Sequence, residues 1–286
     1  RRELPVPPLP EADCTAEAPR LTISVTRLEQ LSPTLLELGC PARVYIPLEE
    51  VPRLESLPGE GPEWCAVLPR VWRDRDEPAL RTLLERARAL GFTGVLIGNL
   101  GHLPLVRGLN FHLYGDYGLN VFNSRSLAYL KDKELESACV SFELRFAQIR
   151  DLKKVLRAEA IVYGRLPLMI TENCLVQNET GCRLDRQGPC VPEDGPCRCG
   201  QPNVLVDRTG AAFPLLPAYG HRTEIQNSKP LYLADRPEHR RLGLAYARLR
   251  FTTETAEECV SVVQNYLDAA PAAGDFTRGL YERGVE

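Results

Sequence analysis

The chain has 286 residues, of which 44% are hydrophobic and 26% charged, with a formal net charge of −3. That balance belongs to a globular protein with a sizeable core, and it excludes a disordered chain or one drawn by its overall charge to nucleic acid or anionic lipid. The longest uncharged stretch, residues 89–106, contains four glycines, Asn99, His102 and Pro104, so no membrane span is expected.

Read in chain order, residues 1–20 hold five prolines and no apolar periodicity. With an Arg rather than a Met at position 1, this segment reads as a proline-rich linker from a preceding domain of the same, longer chain. From Leu21 an alternation of strand and helix patterns begins. LTISVT (21–26) reads as a strand and Arg27–Leu38 as a helix; RVYIPL (43–48) and Trp64–Val71 are the next strands, and residues 77–91 a helix. GVLIG (94–98) and FHLYG (111–115) are short, apolar and glycine-bounded, as buried parallel strands are. A helix near Ser124–Lys131, a strand at 138–142, a helix at Ala147–Arg157 and a strand at 159–164 follow. YARLRF (246–251) is the eighth strand, and Thr253–Ala269 is an amphipathic helix capped by Thr253 or Thr255. Eight strands alternating with helices predict an α/β fold, a (β/α)8 TIM-like barrel over residues 21–286. Residues 165–245 are a long cysteine-rich insertion between strands seven and eight, with a hairpin at 204–216. Such an insertion emerges on the face where barrel enzymes place their sites.

Ten cysteines are unevenly spread. Cys14, Cys40, Cys65, Cys139 and Cys259 are scattered and read as packing residues. Cys174, Cys182, Cys190, Cys197 and Cys199 are clustered, among glycines and prolines that forbid a regular helix or strand. Thiolates converging on zinc or an iron–sulfur cluster would hold such a loop, with His221 able to replace one sulfur. Two disulfides plus a free thiol, or a purely structural zinc knuckle, are the alternatives.

Several stretches together resemble peptidase family U32, the collagenase-like peptidases: GDYGLNVFNS (115–124), CVSFEL (139–144), EAIVYGRLPLMITENC (159–174), LVDRTGAAFPL (205–215), RTEIQNSKPLYLAD (222–235) and FTRGLYERGVE (276–286). The likeness runs from about Leu21 to the end, as in the C-terminal module of larger members. Glu159, Gly164 and Cys174 match the family's signature; Tyr163 stands where a histidine is common, Pro167 where a cysteine is, and His221 near where other members carry another cysteine. The resemblance implies a barrel enzyme, a 4Fe-4S cluster (alternatively zinc) and cytoplasmic location. It also implies oxygen-independent hydroxylation with a small anionic, prephenate-like co-substrate, acting on tRNA or rRNA through the full-length protein. A metal- or thiol-dependent peptidase is the second reading, and a non-catalytic module that docks RNA or a partner is the third.

Strand ends point into a barrel's mouth. On that ground Asp116, Asn120 and Asn123 after strand five, Ser141 after strand six, and Tyr163 at the end of strand seven are candidate substrate contacts. Glu143 is the candidate acid or base, Arg165 the anion clamp and Glu172 a second carboxylate. The competing structural roles are helix capping for Asn120 and Asn123, pairing with neighbours for Glu143 and Arg165, and a surface position for Glu172. Cys174 with His221 is the thiol–imidazole pair to consider, since no serine-protease elbow, H-E-x-x-H, Walker or dinucleotide motif occurs.

Overall fold

The computed structural model of the protein describes residues 8–11, 13–38, 41–180, 198 and 201–284. Eight parallel strands close into a barrel: β1 (Arg20–Ser24), β2 (Arg43–Pro47), β3 (Glu63–Val67), β4 (Gly94–Ile97), β5 (His112–Gly115), β6 (Ser137–Cys139), β7 (Arg157–Gly164) and, after the insertion, β13 (Tyr246–Arg250). Each pairs with the next, and β13 closes the ring between β7 and β1, with Tyr246 in register with both Glu159 and Arg20. The expected barrel and its strand order are present.

The outer layer follows from apolar stripes at helical spacing. α2 (Glu77–Ala89) buries Leu80, Leu84 and Ala87. α7 (Ala256–Leu267) begins with a Thr255–Glu258 capping box and buries Cys259, Val263 and Tyr266. Shorter helices α1 (Pro33–Glu37), α3 (His102–Val106), α4 (Ser124–Asp132) and α5 (Phe146–Asp151) fill other gaps. Between β2 and β3 there is only a 3-10 segment, Leu48–Arg53, interrupted by Pro52.

Three expected elements shorten. The helix at Arg27–Leu38 splits into a 3-10 turn, Leu28–Gln30, and α1, because Pro33 has no N–H to continue the first turn and Ser32 starts a second, accepting from Leu35 N at 3.2 Å. The helix at Ala147–Arg157 ends at Asp151, where Lys154 Nζ donates to the carbonyls of Ile149 (2.5 Å) and Arg150 (2.9 Å). The strand at 138–142 ends at Cys139, since Leu144 N donates to Ser141 O in a turn.

The insertion builds a second sheet. β8 (Pro167–Thr171), β9 (Asn203–Val206), β10 (Ala212–Ala218) and β11 (Arg222–Gln226) are antiparallel, in the order β8-β11-β10-β9. The expected hairpin is β9–β10, and α6 (Leu175–Thr180) follows β8. The chain returns through β12 (Leu231–Tyr232), antiparallel to the end of β7. Part of the expected N-terminal linker lies against the barrel, with Cys14 N donating to Lys154 O at 2.7 Å and Ala16 N to Gly243 O at 3.3 Å.

At the end of β7 the backbone of β13 comes too close for any side chain. Gly164 has φ +115°, and a Cβ there would lie 1.9 Å from Arg250 O. Gly164→Ala is therefore expected to lower the melting temperature by roughly 10 °C or more, or to abolish soluble expression. A melting temperature within about 2 °C of wild type in a thermal scan would contradict this contact.

Candidate active site

Barrel interiors of this architecture are usually filled by branched aliphatic side chains. Here the inward positions carry charges instead. Near the N-terminal ends of the strands, Arg43 donates from Nε to Glu63 (2.9 Å) and from Nη1 to Tyr45 Oη (2.9 Å), and its guanidinium lies 3.4 Å from the Tyr114 ring centroid. One layer higher, Glu159 accepts from Thr22 Oγ1 at 2.6 Å, from Tyr45 Oη at 3.2 Å and from Arg248 Nη2. Arg248 is 1% exposed, and its Nη1 donates to Asp116 Oδ1 at 2.5 Å. Burial alone would raise the Glu159 carboxyl; the Arg248 charge and hydrogen bond, with Arg43 and Thr22, outweigh it and hold the carboxyl below the usual carboxylate range.

Above this layer, at the C-terminal ends of the strands, lies a cavity of about 160 Å3. The barrel contributes Ser24, Val67, Asp116, Arg248 and Arg250, the loops after β2, β3 and β5 contribute Glu49, Arg70 and Tyr117, and the insertion sheet closes over them with Ile170, Ala218, Tyr219 and Glu224. Arg250 ties the two sheets together. Its Nη2 donates to Glu224 Oε2 (2.9 Å), and its Nη1 donates to Gln226 Oε1 (2.8 Å) and to Arg165 O (2.6 Å).

Two charged groups in the cavity are less committed. Arg70 reaches Glu224 Oε1 and Tyr117 Oη only through Nη1, each at 3.5 Å. Its stem rests on Gly118, where a Cβ would lie 2.6 Å from Gly98 O and 3.1 Å from Arg70 Cδ. Glu49 faces no cation among the described residues. Its side chain is exposed at the cavity's rim, where surrounding protein, together with the Glu50 carboxylate and against its own backbone N–H, pushes its carboxyl up. The mouth can thus offer a guanidinium edge and a carboxyl to a ligand.

Of the residues singled out from the sequence, Asp116 lines the cavity, already neutralised by Arg248. Ser141 is buried, its N–H on Val121 O and its hydroxyl accepting from Glu143 N at 3.4 Å; Glu143 itself is half-buried and not among the cavity-lining residues. Asn123 caps α4, accepting from Arg125 N and Ser126 N at 3.0 Å each, and exposed Asn120 closes a turn with φ +50°. Arg165 donates to the carbonyls of Asn227 (3.0 Å) and Ser228. Glu172 pairs at the surface with Arg73 (2.9 Å) and Arg222 (2.9 Å).

Tyr163 points away from the mouth. A bulge shifts the β7–β13 register, so that Tyr163 pairs with Leu249 rather than Arg250 and turns to the outer face. There its hydroxyl donates to Glu254 Oε1 at 3.1 Å, and its ring packs on Phe251 (5.7 Å) and Tyr266 (6.1 Å).

Of the clustered cysteines, Cys182, Cys190, Cys197 and Cys199 lie outside the described residues, as does Cys40. Cys174 is buried at the start of α6, its Sγ accepting from Gln177 N at 3.4 Å, four residues after Ile170 of the cavity wall. His221 sits in the β10–β11 turn with φ +59°, two residues after Tyr219. Among the described residues no group of three or more His, Cys, Asp and Glu is placed to hold a metal ion, and no helix is long and apolar enough to cross a membrane.

Residues 59–203 match the family model described as Peptidase family U32. No curated protein matches the chain. Among solved structures, the U32 peptidase Mk0906 is similar at 9% identity and TM-score 0.43, over 82% of this chain and 95% of that one. CutC of Streptococcus agalactiae is similar at 13% identity and TM-score 0.38, over 49% and 87% of the two chains. Rubisco of Pyrococcus horikoshii OT3 follows at 10% identity and TM-score 0.34, over 50% and 48%.

Removing one partner of a buried ion pair strands the other. Glu159→Gln is expected to lose about 3–5 kcal/mol in urea unfolding followed by tryptophan fluorescence. Because the folded-state pKa of Glu159 is depressed, its stabilisation is complete above the unfolded carboxylate pKa and is lost as pH falls through the lower folded value. The acid-side slope of stability should therefore flatten in the variant, and an unchanged slope would contradict the assignment.

Proposed function

Because the chain belongs to peptidase family U32, we propose that it is an enzyme whose chemistry takes place at the barrel mouth, on a small co-substrate that carries a carboxylate. The reaction is an iron–sulfur-dependent, oxygen-independent hydroxylation of the kind implied by the sequence resemblance, with tRNA or rRNA as the substrate. The observation that carries this reading is the covered mouth: the insertion sheet leaves about 160 Å3. That is room for a metabolite-sized group.

In this reading Arg70 binds the carboxylate and Glu49 holds or passes a proton beside it. A cluster would relay electrons from the group being hydroxylated to the oxygen donor. The thiol of Cys174 has the right chemistry to hold it, and the other ligands would come from Cys182, Cys190, Cys197, Cys199 and His221, with zinc as the alternative occupant. Cys174 precedes α6, where Leu175 N donates to Thr223 Oγ1 at 3.0 Å, next to cavity-lining Glu224.

Anaerobic purification should yield about four iron and four sulfide per chain with a broad visible absorption, and Cys174→Ser should lower both. Zinc without sulfide overturns the redox reading. Cleavage of denatured collagen by the metal-verified protein, lost in Cys174→Ser, would establish the peptidase instead.

A further inference from the structure

The insertion sheet carries one carboxylate into the barrel's mouth, that of Glu224 on β11, and its two oxygens are used differently. Oε2 is the fastening oxygen. It accepts from Arg250 Nη2 at 2.9 Å and from Gln226 Nε2 at 2.8 Å. Arg250 is buried, and its Nη1 donates to Gln226 Oε1 and Arg165 O, so this half of the carboxylate belongs to the seam between the two sheets. Oε1 takes no part in the seam. It faces the loops after β3 and β5, with Arg70 Nη1 at 3.5 Å and Tyr117 Oη donating at 3.4 Å.

The pair with Arg70 is the weak link of this cluster. It is made through one nitrogen at long distance, and the same Nη1 donates to Tyr117 Oη at 3.5 Å. No other hydrogen bond or ion pair holds the guanidinium among the described residues. The Arg70 side chain is also 30% exposed, against 9% for that of Arg250. Its stem, by contrast, is well seated, lying 3.5 Å and 3.1 Å from where Cβ atoms on Gly98 and Gly118 would stand. A fixed stem with a loosely held head suits a cation that exchanges its anion.

We propose that Glu224 is a resident competitor for the ligand: it screens Arg70 until a small carboxylate takes its place. The proposal rests on the reading of Arg70 as the partner of the co-substrate's carboxylate. A ligand that meets Arg70 with two parallel hydrogen bonds of about 2.8 Å has the better geometry. Whichever edge of the guanidinium it takes, two carboxylates would share one positive charge, and their repulsion favours withdrawal of Oε1. Because the seam bonds belong to Oε2, Arg70 can be released while the sheet stays fastened. A fastening role alone would not call for a charge, since a glutamine oxygen accepts the same two seam bonds. What the carboxylate adds is an anion opposite Arg70.

Calorimetric titration of the full chain with succinate tests the proposal. Glu224→Gln should bind succinate about fivefold or more tightly than wild type, the worth of one partly exposed ion pair. Arg70→Gln should lose binding, and adding Glu224→Gln to it should not restore it, which ties the gain to Arg70 rather than to a looser sheet. If Glu224→Gln melts well below wild type, Glu224→Asp gives the second reading: one methylene shorter, it cannot span both guanidiniums, and succinate should again bind more tightly. Equal or weaker binding by the Glu224 variants, with binding still lost in Arg70→Gln, overturns the competitor and leaves the carboxylate site in place. Succinate binding that does not depend on Arg70, or none in wild type and variants alike, overturns both.

Discussion

The structure turns on Arg248, a guanidinium 1% exposed in the middle of the barrel, held between Glu159 and Asp116. A charge buried this deeply is tolerated only with its donors satisfied and its charge opposed. The two carboxylates do both, and they come from different strands: Glu159 from β7 and Asp116 from the residue after β5, with Arg248 itself on β13. One side chain therefore couples three strands across the interior. Thr22 and Tyr45 extend the network to β1 and β2 through the same carboxylate. Hydrophobic packing lies mainly outside the ring, between strands and helices, with only the small Tyr45, Cys65, Leu96 and Tyr114 cluster inside it.

That interior decides what the mouth can offer. Asp116 looks like a free carboxylate at a strand end until Arg248 is seen to occupy it. The next inward residue of β13, Arg250, is turned to a different use, fastening the insertion sheet through Glu224 and Gln226. The barrel and its insertion thus share a charged seam, and the cavity lies along it. Arg70 and Glu49, from the loops after β3 and β2, are the ionic groups that the seam does not consume.

Much of the architecture is legible in the residues. The period-2 and period-3.6 patterns mark all eight barrel strands and the long helices α2 and α7, because local propensity and burial agree there. The shorter helices are less legible, since Pro33 and the lysine cap after α5 end them for reasons that apolar spacing does not carry. At the site, the rule that strand ends face the mouth finds Asp116 and misleads for Tyr163: one extra residue in β7 reverses which face it presents. Glu172 and Arg165 are charged for local reasons, an ion pair with Arg222 and a grip on two backbone carbonyls. The alternation of Tyr246, Arg248 and Arg250 in the last strand was the overlooked signal, since polar side chains on the inward positions of a barrel strand declare a charged interior.

The sequence by itself determined the barrel, its insertion and the family to which the chain belongs, because these depend on periodicity and on motifs carried along the chain. Which charges remain available to a ligand was decided only by the tertiary structure. An ionisable side chain is free or spent according to partners that lie far away in sequence: 132 residues separate Arg248 from Asp116, and 26 separate Arg250 from Glu224. Charge neutralisation is a property of distance in space, and only the closed barrel with its covering sheet sets those distances.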